Sequence, residues 1–120
     1  MARVASPLRG EIYLVSFDPT LGSEINKTRP ALIIQNDVSN RHSPLTIVAA
    51  ISSQFGEKLY PTEILVRAGE GGLQQDSVIL LNQLRSIDRQ RITKKIGKVS
   101  ELTLRRMDLA IKISLGLVDI

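Results

Sequence analysis

The stretch Gly22-Ser23-Glu24-Ile25-Asn26-Lys27-Thr28-Arg29-Pro30-Ala31-Leu32-Ile33-Ile34-Gln35-Asn36-Asp37 changes character at its midpoint. Residues 22–28 are mostly polar, begin on a glycine and show no apolar period, which predicts a loop. Residues 31–34 form an apolar run too short for a helix and rich in Ile, which predicts a buried strand. Arg29 stands at the junction, and Pro30 biases it toward extended backbone. A guanidinium is thereby held where a polar loop meets a core strand. That position suits binding or catalysis, because the strand fixes the cation and the loop can close over a ligand. It equally suits anchoring of the loop through Glu24 or Asp18, and spacing alone favours this plainer role.

Working outward, strand follows strand. Residues 10–17 (GEIYLVSF) are β-branched and aromatic and predict a first strand, ended by the turn signal Asp18-Pro19-Thr20. On the other side, residues 37–44 predict a loop. Residues 45–51 (LTIVAAI) predict a central strand that runs out into Ser52-Ser53-Gln54. Residues 60–67 give a fourth strand. Residues 68–75 hold Gly69, Gly71 and Gly72 and predict a turn; no Lys-Ser/Thr follows, so this is not a phosphate loop. Residues 77–81 give a fifth strand that becomes polar at Asn82, Gln83 and Arg85. Residues 88–91 predict a single helical turn and residues 92–99 a last strand.

Ser100 is a good N-cap for a helix over residues 101–117. That helix carries two apolar stripes, one through Leu104, Met107, Ile111, Leu115 and Val118, the other through Leu102, Leu109, Ile113 and Leu117. Two stripes exceed what covers one sheet face. They predict either a subunit interface or a helix laid deep in a groove of its own sheet. With no repeat or linker, residues 1–120 are expected to form one domain, residues 1–8 being a flexible arm and not a signal peptide. The order of elements argues for a mainly β, antiparallel sheet curled toward a small barrel with a C-terminal helix, and against parallel α/β.

Composition excludes several chemistries. There is no cysteine, so disulfides, thiolate metal sites and a cysteine nucleophile are ruled out. The one histidine, His42, rules out a two-histidine acid–base pair within the chain. Four aromatic residues, Tyr13, Phe17, Phe55 and Tyr60, leave little material for a base-stacking platform. No segment is long and apolar enough to span a membrane. A net charge of +4 suits a polyanionic partner.

Three strand ends gather polar side chains: Arg29; Ser52, Ser53 and Gln54; and Asn82, Gln83 and Arg85. Converging on one face of a small barrel, they would make an anion site, most simply for a phosphodiester. Sequence spacing shows no carboxylate pair and no metal-ligand cluster, so no metal or cofactor is expected. If the substrate is RNA, the economical metal-free route is attack by its own 2′-hydroxyl, with Arg29 and Ser52 stabilising charge on the phosphoryl oxygens. An arginine is a poor base, because a guanidinium gives up its proton only in strong alkali. Ser52 also suits a plain strand-ending hydrogen bond. Lys94, Lys95 and Lys98 with Arg89 and Arg91 form a basic cluster, read as a solvated hairpin face in preference to an RNA track.

Taken together, these residues resemble the MazF/PemK family of toxin endoribonucleases. The segments that carry the resemblance are Arg9-Gly10-Glu11-Ile12-Tyr13, Asp18-Pro19 with Gly22-Ser23-Glu24, Arg29-Pro30 through Asp37, Ser43-Pro44, residues 47–51, and residues 76–81 with Gln83, Arg85, Ile87 and Asp88. The resemblance implies an SH3-like barrel carried on a homodimer, in the MazF/PemK/CcdB-like toxin fold. It implies metal-independent, sequence-specific cleavage of single-stranded RNA in the cytoplasm, leaving a 2′,3′-cyclic phosphate and a 5′-hydroxyl. It also implies a MazE-like antitoxin whose acidic tail fills the RNA groove. The family's catalytic arginine falls on Arg29 and its hydroxyl on Ser52, where the familiar residue is Thr. The loop over residues 21–28 would be a lid. The RNA-binding set would be Gly22, Ser23, Glu24, Asn36, Ser53, Gln54, Asn82, Gln83 and Arg85; many relatives have Glu in place of Asn82. Two alternatives stay open: a non-catalytic toxin of the same fold that binds DNA gyrase, and an inactive relative that only binds an antitoxin.

Overall fold

The computed structural model describes residues 6–18, 22 and 27–120. The expected arm (1–8) and lid (21–28) lie largely outside these residues, as do Ser23 and Glu24. Six strands form one antiparallel sheet: β1 (Glu11–Ser16), β2 (Thr28–Ile33), β3 (Leu45–Ser52), β4 (Glu63–Val66), β5 (Ser77–Asp88) and β6 (Ile92–Lys98), in the order β4-β5-β3-β2-β1-β6. The C-terminal helix α2 (Glu101–Ser114) is capped by Ser100, whose side chain accepts from the Thr103 amide. Both were expected from the strand runs and the cap residue.

The strands are apolar on both faces because both faces are buried. Ile12, Leu32, Ala49, Ile51 and Ile79 pack on the face covered by Met107 and Ala110 of α2. Their neighbours Tyr13, Val15, Ala31, Ile33, Val48, Ala50 and Val78 pack on the other with Phe17, Ile87 and Ile92. Among the described residues no helix contributes to this second cluster. A sheet face buried by its own strands curls upon itself, toward a barrel that stays open between the edge strands β4 and β6.

Besides α2 ending at Ser114 and β4 shortening to Glu63–Val66, three elements depart from the sequence reading. Residues 37–44 hold a short helix, α1 (Asp37–His42), where a loop was expected. Asn36 caps it by accepting from the Ser39 amide. Asn40, fully buried within it, donates to the Gln35 carbonyl (2.9 Å) and accepts from Gln35 Nε2 (3.0 Å) and the Thr46 hydroxyl (2.7 Å). β5 runs on through Asp88 instead of ending at residue 81. Against β3 its pairing jumps from Leu80 opposite Ala50 to Leu84 opposite Ala49, so Leu81, Asn82 and Gln83 bulge from the ladder. β2 spans Thr28–Ile33, where a strand over residues 30–36 was expected. Arg89–Arg91 is the expected single turn, a 3₁₀ turn with Asp88 accepting from the Gln90 amide.

Charged residues just before and at the start of the first strand, Arg9 and Glu11, close the structure. Arg9 donates its amide to Asp37 (2.7 Å) and its Nε to the Ile34 carbonyl (2.9 Å), and pairs with Asp108 of α2. Glu11 is buried; it accepts from the Leu8 amide (2.7 Å) and the Tyr13 hydroxyl (2.9 Å) and pairs with Lys95 of β6 (2.6 Å). Burial pushes the Glu11 carboxyl up, but the bonds from Lys95, Leu8 and Tyr13 outweigh it and hold the group below the usual carboxylate range. Burial and the bond to Glu11 push the Tyr13 phenol up to about 12. A carboxyl with a lowered folded pKa contributes stability above its unfolded value, and that contribution is lost as pH falls through the folded value. The wild type is therefore expected to lose stability progressively below about pH 4.5. Glu11→Gln should be less stable at neutral pH by about 1 kcal/mol and fall less steeply in acid. Urea titrations at neutral and acid pH check this; parallel pH profiles for the two proteins would refute it.

Candidate active site

The antiparallel register brings two of the three polar strand ends together. Ala31 of β2 pairs with Ala50 of β3. The β2–β3 pairing ends there; its alternation, continued two residues back along β2 and two forward along β3, puts Arg29 and Ser52 on the same face of the pleat. The row continues through Val15, which pairs with Arg29, and Val78, which pairs with Ser52. Directly opposed side chains in such a row start about 5 Å apart at Cβ. Arg29 is exposed at the second residue of its strand, and Ser52 is half-buried at the last residue of its own. The backbone at each end is set by the ladder, so cation and hydroxyl are aimed by the sheet itself.

Both line a cleft of about 500 Å³ together with Ser53. Its apolar lining comes from Leu14, Pro30, Ile51, Leu73 and Ile96. Its other polar lining comes from Gln74 and Gln75 on the β4–β5 connection, Ser77 at the start of β5 and Lys94 on β6. Neither a carboxylate nor an imidazole is among the described lining residues. Two cations, three hydroxyls and two primary amides around an apolar floor make a receptor for an anion with a planar, partly apolar attachment, as a nucleotide is.

The Ser52 hydroxyl has local partners: it accepts from the Gln54 amide (3.1 Å) and donates to the Gln54 carbonyl (3.2 Å). The strand-ending role is thus real, and it also fixes the rotamer. The donated bond is long, and a phosphoryl oxygen in the cleft can replace the carbonyl as acceptor while the amide continues to hold the oxygen.

A sequence model of the PemK-like, MazF-like toxins of type II toxin–antitoxin systems matches residues 8–115. This chain belongs to that family. It is 45% identical over 111 residues to endoribonuclease EndoA of Bacillus subtilis, covering 92% of this chain and 96% of EndoA. It is similar in structure to MazF of Deinococcus radiodurans (TM-score 0.81, 25% identity, 94% and 99% of the two chains). A mycobacterial endoribonuclease in complex with its cognate antitoxin shares the fold (TM-score 0.77, 19% identity, 95% and 99% covered).

The remaining expected site residues of this toxin lie elsewhere. Asn36 is the α1 cap. Gln54 offers its backbone to Ser52 but does not line the cleft. Asn82, exposed, and Gln83, half-buried, sit in the β5 bulge. Arg85 donates to the Phe17 carbonyl (2.6 Å), with its guanidinium 5.9 Å from the Phe17 ring centre, so it ties β5 to the end of β1. Gly22 is exposed at a φ of 56° and does not line the cleft. Sequence reasoning missed Gln74, Gln75, Ser77 and Lys94. Three of these follow the glycine turn as an unremarked polar run, and Lys94 was absorbed into the basic cluster. That cluster is divided: Lys95 pairs with Glu11, Arg91 donates to the carbonyls of Ser16 (3.1 Å) and Asp18, and Lys94 faces the cleft.

Proposed function

We propose that this toxin is an endoribonuclease that cuts single-stranded RNA without a metal ion, at the row formed by Arg29 and Ser52. The endoribonuclease class rests on family membership and on the extent of identity with EndoA. The observation that carries the chemistry is that an exposed guanidinium and a locally fixed hydroxyl line one cationic cleft. In the proposed step the substrate's 2′-oxygen attacks the adjacent phosphorus and the bond to the 5′-oxygen breaks. Water in the open cleft takes the proton of the 2′-hydroxyl and water gives one to the departing 5′-oxygen, leaving a 2′,3′-cyclic phosphate and a 5′-hydroxyl. Arg29 neutralises the charge that builds on the non-bridging oxygens, with a fork that matches two of them. Ser52 donates to one of the same oxygens. Both interactions strengthen as charge accumulates, so they favour the transition state over the bound substrate.

The toxin is further inferred to act as a homodimer and to be silenced by an acidic antitoxin segment laid in the same cationic cleft. Leu102, Leu109 and Leu117 stand outward on or just beyond α2 and supply apolar surface for a second subunit. The test is incubation of purified protein with a long single-stranded RNA in EDTA, with new ends mapped by primer extension. Discrete cuts at a shared short motif support the reading; RNA left whole in EDTA and cut only on adding a divalent ion overturns its metal-free part.

Ser52 makes a second measurable point. Ser52→Ala is expected to slow cleavage about 10²-fold, the usual cost of one lost oxyanion donor. Ser52→Thr keeps the hydroxyl, stiffens its rotamer, and should cleave within a few-fold of wild type. Single-turnover rates on one oligonucleotide compare the three.

A further inference from the structure

We propose that Lys94, with Gln74 and Gln75, forms a subsite for a nucleotide flanking the scissile bond. Lys94 holds that nucleotide's phosphate and the glutamine pair reads its base. The proposal rests on the endoribonuclease reading and extends it to substrate selection.

Lys94 and Lys95 are neighbours on β6 with opposite fates. Lys95 is paired with the buried Glu11. Lys94 makes no hydrogen bond or ion pair among the described residues and lines the cleft with Arg29 and Ser52. In register it pairs with Leu14, which pairs with Pro30, so Lys94 heads the row next to the one holding Arg29. One strand, β1, separates the two cations, a backbone spacing of about 10 Å. Neighbouring rows of a pleat turn to opposite faces, so Arg29 and Lys94 reach the cleft from different sides of the sheet, an arrangement suited to two phosphates better than to one. Successive phosphates of an extended strand satisfy both. An ammonium serves this task well, because holding a flanking phosphate needs charge and not a planar fork.

The opposite wall is built to be rigid. In the β4–β5 connection Gly69 donates its amide to the Leu73 carbonyl (2.7 Å) and Asp76 accepts from the Ala68 amide (2.8 Å). Ser77 donates its hydroxyl to the Gln75 carbonyl (2.9 Å). Glu70 accepts from the Ser100 amide (3.1 Å) and the Thr103 hydroxyl (2.6 Å) at the start of α2. The Gln74 and Gln75 side chains are exposed and make no hydrogen bond among the described residues. Two unengaged primary amides on a pinned backbone are preorganised to pair with a base edge, each offering a donor and an acceptor side by side.

The test compares Lys94→Ala with Lys98→Ala, which removes the same charge from the same strand away from the cleft. On an RNA oligonucleotide, Lys94→Ala should raise KM about tenfold with kcat within about twofold. The salt dependence of binding should become shallower by about 0.7 in log–log slope, the mark of one lost single-strand phosphate contact. Replacing one flanking phosphate with an uncharged methylphosphonate should weaken wild type to the same degree and leave Lys94→Ala unchanged. The double variant Gln74→Ala, Gln75→Ala should flatten base preference at one flanking position. A Lys94→Ala protein whose KM and salt slope match those of Lys98→Ala overturns the phosphate contact, and an unaltered base profile in the glutamine variant overturns the base contact. Binding of a mixed-sequence 2′-O-methyl oligoribonucleotide, which cannot be cut, reads Lys94 separately. Wild type that binds this probe yet leaves every RNA whole overturns the cleavage reading, while loss of binding in Lys94→Ala still supports the subsite.

Discussion

Arg29→Ala is expected to lower the single-turnover rate of RNA cleavage by about 10³-fold or more while leaving the fold intact. The size follows from the charge at stake. A neutral oxyanion donor contributes about 10²–10³ to a rate, and a guanidinium placed on a transferring phosphoryl group contributes about 10³–10⁵. Arg29 is the cation in register with Ser52, so no other residue of that row can replace it. The fold should survive because the side chain is exposed, and truncation of an exposed side chain changes stability by about 0.5 kcal/mol or less. Arg29→Lys separates charge from geometry: it keeps the positive charge and loses the planar fork. Its rate should fall between those of wild type and alanine. Gel-resolved cleavage of a labelled oligonucleotide under enzyme excess reads all three, and circular dichroism checks the fold. An alanine variant that cuts within tenfold of wild type would remove the Arg29–Ser52 row from the reacting centre.

The central sheet was legible because its strands are dictated by short Ile- and Val-rich runs, and the start of α2 because Ser100 is followed by an amphipathic stretch. The helix α1 was not. Its six residues are far below the length at which a helix holds on its own. What holds it is the buried Asn40 amide, bonded to Gln35 and Thr46 on either side, and no local pattern announces that. β5 hid its second half because Arg85 and its neighbours look like strand-ending polar residues until the Phe17 carbonyl supplies a partner. For the site, Arg29 and Ser52 were legible as strand ends, and antiparallel pairing makes them neighbours. The opposite wall was illegible. Gln74, Gln75 and Lys94 meet the cleft only because two stretches of backbone approach more closely than any side chain allows, and in sequence that approach shows only as glycines.

That approach underlies the second large effect. Gly97→Ala is expected to destabilise the toxin by about 3 kcal/mol or more, lowering its melting temperature by roughly 10 °C at fixed protomer concentration. A Cβ on Gly97 would stand 2.3 Å from the Gly71 carbonyl oxygen and 2.5 Å from its carbon. The obstacle is backbone, so no side chain can rotate away to relieve it. From the other side a Cβ on Gly72, already at a φ of +79°, would meet the Ile96 carbonyl oxygen at 2.4 Å. The 3₁₀ turn Glu70–Gly72 and β6 are thus in direct backbone contact, and one methyl must push them apart. β6 is an edge strand with β1 as its partner, so it has somewhere to move. The turn is less free, because Glu70 is bonded to the start of α2. Burial pushes the Glu70 carboxyl up, and the bonds from Thr103 and Ser100 more than reverse this, holding it below the usual range. Gly56→Ala is the control: its Cβ would meet nothing closer than the Lys58 carbonyl oxygen at 3.9 Å. Thermal melts of the three proteins decide the matter, and a Gly97→Ala protein melting within 2 °C of wild type would refute the close contact. The folded fraction carries a second consequence. Displacement of the turn and β6 moves Gln74, Gln75 and Lys94 but spares β2 and β3, so the surviving enzyme should lose more in KM than in kcat.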